Sequence, residues 1–158
     1  MVKRNARWLL GCVAGALLAT AASAQVLAKS SISFEGAKKV AEAAAREAQK
    51  RNIPVVIAVV DDSGELVYLG RLDDTQVGSI RVGIGKARTA AHFRRPTKFF
   101  EDQIKDGRLV TLALADFTPL EGGVPLFHQG RFVGAIGVSG DTPQVDAAIA
   151  MAGAAALD

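Results

Sequence analysis

KARTAAHFRRPTKFF, Lys86 to Phe100, and GGVPLFHQGRFVGAIGVSG, Gly122 to Gly140, decide how this chain folds. The first is the end of a helix. Ala87 and Ala91 continue the helical spacing of Val77, Ile80 and Ile84, and Pro96 stops it, because a proline lacks the backbone N–H and its ring clashes with the preceding turn. The second is a hairpin. Val124 to Phe127 and Arg131 to Val138 are two strand-like runs joined at His128-Gln129-Gly130.

Working outward, Ala37, Val40, Ala41, Ala44, Ala45 and Ala48 recur at helical spacing. Ser33 supplies an N-cap, Glu35 sits in the first turn, and Asn52 and Pro54 lie beyond the end. Val55 to Val60 reads as a buried strand, Asp61-Asp62-Ser63-Gly64 as a turn and Glu65 to Arg71 as the returning strand. Lys98 to Lys105 forms a short helix, Thr111 to Asp116 a strand, and Thr142 to Leu157 an Ala-rich closing helix. Gly78, Gly83 and Gly85 each cost the second helix about 1 kcal/mol relative to alanine, which points to close packing or ligand approach. The expected fold class is α+β, with helices against an antiparallel sheet of about five strands.

The first 24 residues have the pattern of a secretory signal peptide. Lys3, Arg4 and Arg7 precede an apolar run from Trp8 to Thr20, and Ala22-Ser23-Ala24 is a small-residue cleavage site. The expected organisation is a leader over 1–24 and a single domain over 25–158, periplasmic or secreted. Cleavage removes three of the 19 Lys and Arg and none of the 16 Asp and Glu, which leaves no net charge and weakens any general nucleic-acid role. It also removes Cys12, the only cysteine, and Trp8, the only tryptophan, so disulfides and thiolate chemistry are excluded from the exported domain.

Donors to a transition metal then reduce to His92 and His128, with Tyr68 and methionine behind them. Arg81, Gly85, Arg88 and His92 fall on one stripe of the second helix, offering two guanidinium groups to carboxylates, a glycine gap and a terminal imidazole. Residue type alone favours the solvated basic flank of a surface helix with an ordinary surface histidine. His128 reads as a plain turn residue, and Thr97 as the N-cap of the Lys98 helix with Glu101 near its first turn. Gly134, Gly137 and Gly140 lack the strand-to-helix context of a phosphate loop. Asp61-Asp62 and Asp73-Asp74 fall where turns favour aspartate.

The two decisive stretches closely resemble the GlcG/HbpS family of heme-binding proteins. So do Val59-Val60-Asp61, Gly64, Arg71-Leu72-Asp73, Asp146, Ala152-Gly153 and Ala156-Leu157, and the resemblance spans roughly residues 33–158. It implies a profilin-like sheet, heme as cofactor, and a homo-oligomer in which heme can sit between subunits. It also carries Thr97 over as a contact near the iron. The first functional expectation is an exported protein for heme storage, sensing or turnover. In it Arg81 and Arg88 pair the propionates, His92 or Thr97 approaches the iron, Phe93 supplies an apolar wall, and Gly122 and Gly123 border the site. The second is an accessory protein or enzyme for small organic acids in glycolate or aromatic catabolism, with Arg88 and Arg94 clamping a carboxylate near Gly122-Gly123. The export signal favours the first. A third expectation is an assembly module that contacts a membrane sensor protein.

Overall fold

The computed structural model describes residues 27–157, so the leader expected over 1–24 lies outside the described residues. Helix α1, Phe34–Lys50, begins as its sequence dictates, with the Ser33 hydroxyl accepting from the Gly36 N–H at 3.1 Å. Strands β1, Val56–Asp61, and β2, Leu66–Arg71, follow as an antiparallel pair, then helices α2, Ser79–Phe93, and α3, Lys98–Lys105. Strands β3, Gly123–His128, and β4, Arg131–Ser139, form the second hairpin, and α4, Pro143–Ala154, closes the chain. Gln129 and Gly130 carry φ of 50° and 72°, the left-handed pair that a two-residue hairpin turn requires.

The sheet is antiparallel throughout, in the order β2-β1-β4-β3. Four strands are present among the described residues, one fewer than expected. Thr111 to Asp116 does not form a strand: Leu109–Ala113 is a 3₁₀ turn. There the Thr111 hydroxyl donates to the Arg108 carbonyl at 3.1 Å and the Leu114 N–H to the Thr111 carbonyl at 3.2 Å. Local bonds thus take up groups that a ladder would have used.

The central strand β1 is buried on both faces, and the two faces differ in residue size. Ile57 and Val59, with Ile136 and Val138 of β4, pack under α1 and α4 in the larger core cluster. Ala58, Val60 and Ala135 meet Ala87, Ala90 and Ala91 of α2 in a smaller one. Small side chains on both partners bring α2 close to the sheet: a Cβ on Gly137 would collide with the Gly83 carbonyl and the Ala87 N–H. The buried face of α2 runs through Ser79, Gly83, Lys86, Ala87 and Ala90, whereas Val77 precedes the helix and is 69% exposed. The apolar sector expected from Val77, Ile80 and Ile84 is therefore displaced, because the contact selects small residues rather than large ones.

Candidate functional site

Arg81, Gly85 and Arg88 of α2 line one side of an open cleft of about 440 Å³, joined there by Ile84. Leu114, Asp116, Phe117 and Thr118 line the other side. The glycine gap expected at Gly85 is occupied by protein. A Cβ there would collide with the Thr118 hydroxyl, so glycine lets the Leu114–Thr118 segment close on the helix, where the Thr118 N–H donates to Thr89 Oγ1 at 2.8 Å. Arg88 donates through Nε to the Gly64 carbonyl at 3.2 Å and lies 3.4 Å from the exposed Glu65 carboxylate. Arg81 makes no ion pair among the described residues.

His92 stands one turn beyond Arg88, exposed, with Nε2 3.1 Å from the Ser63 carbonyl. A carbonyl only accepts, so Nε2 bears the hydrogen and the neutral ring keeps its lone pair on Nδ1. The seat is shaped by Gly64 at φ 88°, where a Cβ would run into the imidazole. Metal-binding histidines characteristically donate their second ring N–H to a carbonyl or carboxylate in this way. His128 lies elsewhere, at the end of β3, with Nδ1 3.2 Å from the Leu157 carbonyl.

Thr97, Gly122 and Gly123 form a separate, buried junction. Thr97 precedes α3 without capping it through its side chain. Its hydroxyl instead donates to the Leu120 carbonyl at 2.6 Å and accepts from the Gly123 N–H at 2.9 Å, and the residue is fully buried. Below it lies an ion pair that sequence reasoning missed: Lys86 Nζ is 2.7 Å from Asp146 Oδ2 and 3.0 Å from the Val138 carbonyl. Burial raises the Asp146 carboxyl above its usual range, against the lowering pull of the Lys86 ammonium. A Cβ on Gly122, whose φ is 122°, would press on both partners. The available signal was a lone lysine among the small, inward-facing residues of α2. Glu101, also buried, accepts from the Glu121 N–H; burial would raise its carboxyl, but the bonds from Lys105 and Glu121 outweigh that and hold it low.

Phe93 joins Phe100 and Phe117 in an edge-to-face cluster with centroids 5.0 to 5.6 Å apart. Since Phe117 also lines the cleft, this cluster ties the cleft wall to the corner between α2 and α3. Gly122 and Gly123 border a smaller apolar pocket of about 250 Å³ with Val124, Ala147 and Met151, into which neither Arg88 nor Arg94 reaches. The arginine clamp expected beside Gly122-Gly123 is therefore not assembled. Arg88 faces the cleft, and Arg94 lies over the Phe132 ring at 5.0 Å.

Residues 32–155 match the family model described as "Haem degrading protein HbpS-like". The chain belongs to the HbpS-like family. Among relatives of this HbpS-like chain, Protein GlcG of Escherichia coli K12 is 43% identical over 108 residues, which cover 68% of this chain and 81% of GlcG. The crystal structure of HbpS superposes with a TM-score of 0.78 at 30% identity, covering 85% of this chain and 95% of the other. That of a PduOC:heme complex gives 0.72 at 27% identity, covering 80% and 94%. The likeness to both supports the HbpS-like fold: a four-stranded antiparallel sheet flanked by helices. In this HbpS-like chain Arg81 and Arg88 line the α2 cleft, His92 stands one turn further on against the Ser63 carbonyl, Phe93 belongs to the aromatic cluster, and Thr97, Gly122 and Gly123 form a separate buried junction.

Proposed function

We propose that this protein is exported and binds heme along the α2 cleft, where His92 Nδ1, one turn beyond Arg88, would donate to the iron and Arg81 and Arg88 would hold the propionates. The observation that carries the reading is the His92 ring itself. Its Nε2–H is spent on the Ser63 carbonyl, its Nδ1 is left with a lone pair, and its helix face continues into two arginines and an apolar wall of Ile84, Leu114 and Phe117. Heme would supply a redox-active iron already held by its macrocycle. One protein donor then suffices, which suits a chain in which no three of His, Cys, Asp and Glu come together among the described residues.

Thr97 takes the secondary role. Both bonding functions of its hydroxyl are in use at the Leu120 and Gly123 backbone, so it supports the Gly122-Gly123 junction rather than competing with an exposed imidazole for iron. Periplasmic or extracellular placement follows from the leader read in the sequence. The family's description as heme-degrading and the heme-bound PduOC relative support the choice of ligand.

The test is a hemin titration followed in the Soret region, repeated with His92→Ala and Arg81→Gln. Saturable binding is expected, with His92→Ala changing the band position as well as the affinity and Arg81→Gln changing the affinity alone. A flat or non-saturable response, or a spectrum untouched by His92→Ala, would sink the proposal.

A further inference from the structure

A second concave site shares no lining residue with the α2 cleft and lies on the other side of the His92–Ser63 contact in sequence, where the N-terminal segment, the β1–β2 turn, the end of α2 and the start of β4 meet. It measures about 280 Å³, and its charged lining is Lys29, Arg94, Arg131 and a single carboxylate, Asp62. Of the sixteen lysines and arginines among the described residues six pair with carboxylates, and Lys29, Arg94 and Arg131 are three of the ten that do not; what sets these three apart is that they line one concavity. Three exposed cations around one concavity, faced by one carboxylate, give it a net positive potential that favours an anion between them.

The position of Arg94 is fixed by the fold. Arg94 ends α2 in the left-handed region at φ 50°, a conformation uncommon for a residue with a Cβ. That turn lays its guanidinium on the Phe132 ring at 5.0 Å, next to Arg131 at the start of β4. Stacked on the ring, the guanidinium is oriented while its N–H groups stay available for oxygen acceptors. Three cations against one carboxylate leave two positive charges to be met, and the volume is below that of drug-sized pockets.

We propose that Lys29, Arg94 and Arg131 bind a small dianion through carboxylate or phosphate oxygens. The two arginines grip the oxygens in fork geometry, Lys29 adds a point charge, and Asp62 limits the charge accepted. None of these residues lines the cleft assigned to heme, and an anion titration without hemin reads this site alone, so the failure of one reading is told apart from the failure of the other.

The experiment is calorimetric titration of the protein with inorganic phosphate and, separately, with succinate, at low and at raised salt. Saturable binding of at least one anion is expected, weakened by salt, and whichever binds more tightly identifies the oxyanion. Arg94→Gln and Arg131→Gln should each weaken it about tenfold or more, the scale of one charged hydrogen bond. Asp62→Asn should tighten it, an effect no structural role predicts. Arg81→Gln should leave it unchanged. Absence of saturable binding by both anions overturns the proposal, as does equal binding by the Arg94→Gln and Arg131→Gln proteins or a failure of Asp62→Asn to tighten it. Because Arg81, Arg94 and Arg131 are exposed and Asp62 is half-buried without an ion pair among the described residues, each of the four variants should melt close to the parent temperature.

Discussion

Replacing Lys86 by methionine tests the buried junction most directly. The Lys86 side chain is 3% exposed and that of Asp146 2%, and the ammonium supplies the 2.7 Å bond to Oδ2. Methionine preserves most of the side-chain length while removing the charge, which leaves the Asp146 carboxylate with the Asp141 N–H at 3.0 Å as its remaining bond. Stranding one partner of such a pair costs about 3–5 kcal/mol. For a domain of this size that lowers the melting temperature by roughly 10–20 °C. The loss depends on pH with a definite sign. The folded-state carboxyl is raised, so the folded protein binds more protons than the unfolded chain, and this group's contribution to stability falls as pH rises through that interval. Removing Lys86 removes the chief lowering influence and widens the interval. The deficit of the variant should therefore be small below the usual carboxylate range and full at neutrality. Urea unfolding and thermal melting across a pH series measure it, and adding Asp146→Leu should restore most of the stability by removing the stranded charge. A neutral-pH loss under about 1 kcal/mol, the range of an exposed pair, or a deficit equal at every pH, would refute the reasoning.

Two further perturbations probe neighbouring features. Thr97→Val keeps the shape but leaves the Leu120 carbonyl and Gly123 N–H without their partner, so it should cost about 1–3 kcal/mol in denaturant unfolding, with Thr97→Ser nearer to neutral. Gly137→Ala drives a methyl into the α2 backbone and should cost about 1–3 kcal/mol or more, read as a lowered melting temperature.

Elements whose signals are local were legible in the sequence. The Ser33 cap, the Pro96 stop and the Gln129-Gly130 turn each act through a few adjacent residues, and the structure places each where the pattern puts it. The segment from Thr111 to Asp116 misled because alternation of Leu112 and Leu114 with smaller residues imitates a strand, while pairing depends on a partner edge that the local pattern does not encode. Both leucines lie more than 45% exposed. The Lys86–Asp146 pair joins positions 60 residues apart, and the Lys29–Arg94–Arg131 pocket draws on distant segments, so neither leaves a contiguous motif. The Arg81–Arg88–His92 stripe was visible because helical periodicity alone puts those side chains on one face. Its contacts with Gly64, Ser63 and Thr118 were not, since they come from the β1–β2 turn and the Leu114–Thr118 segment.

The two sides of the α2 cleft are anchored in different ways. On one, the helix backbone rests against Gly137 of a central strand, so the helix and sheet can shift only as one body. On the other, the Leu114–Thr118 segment hangs from the Thr118–Thr89 bond and the phenylalanine cluster, with Leu114 open to solvent. The cleft is a vice with one fixed jaw. A ligand in the cleft is expected to meet arginines at a fixed spacing and to displace the Leu114–Thr118 segment rather than the helix.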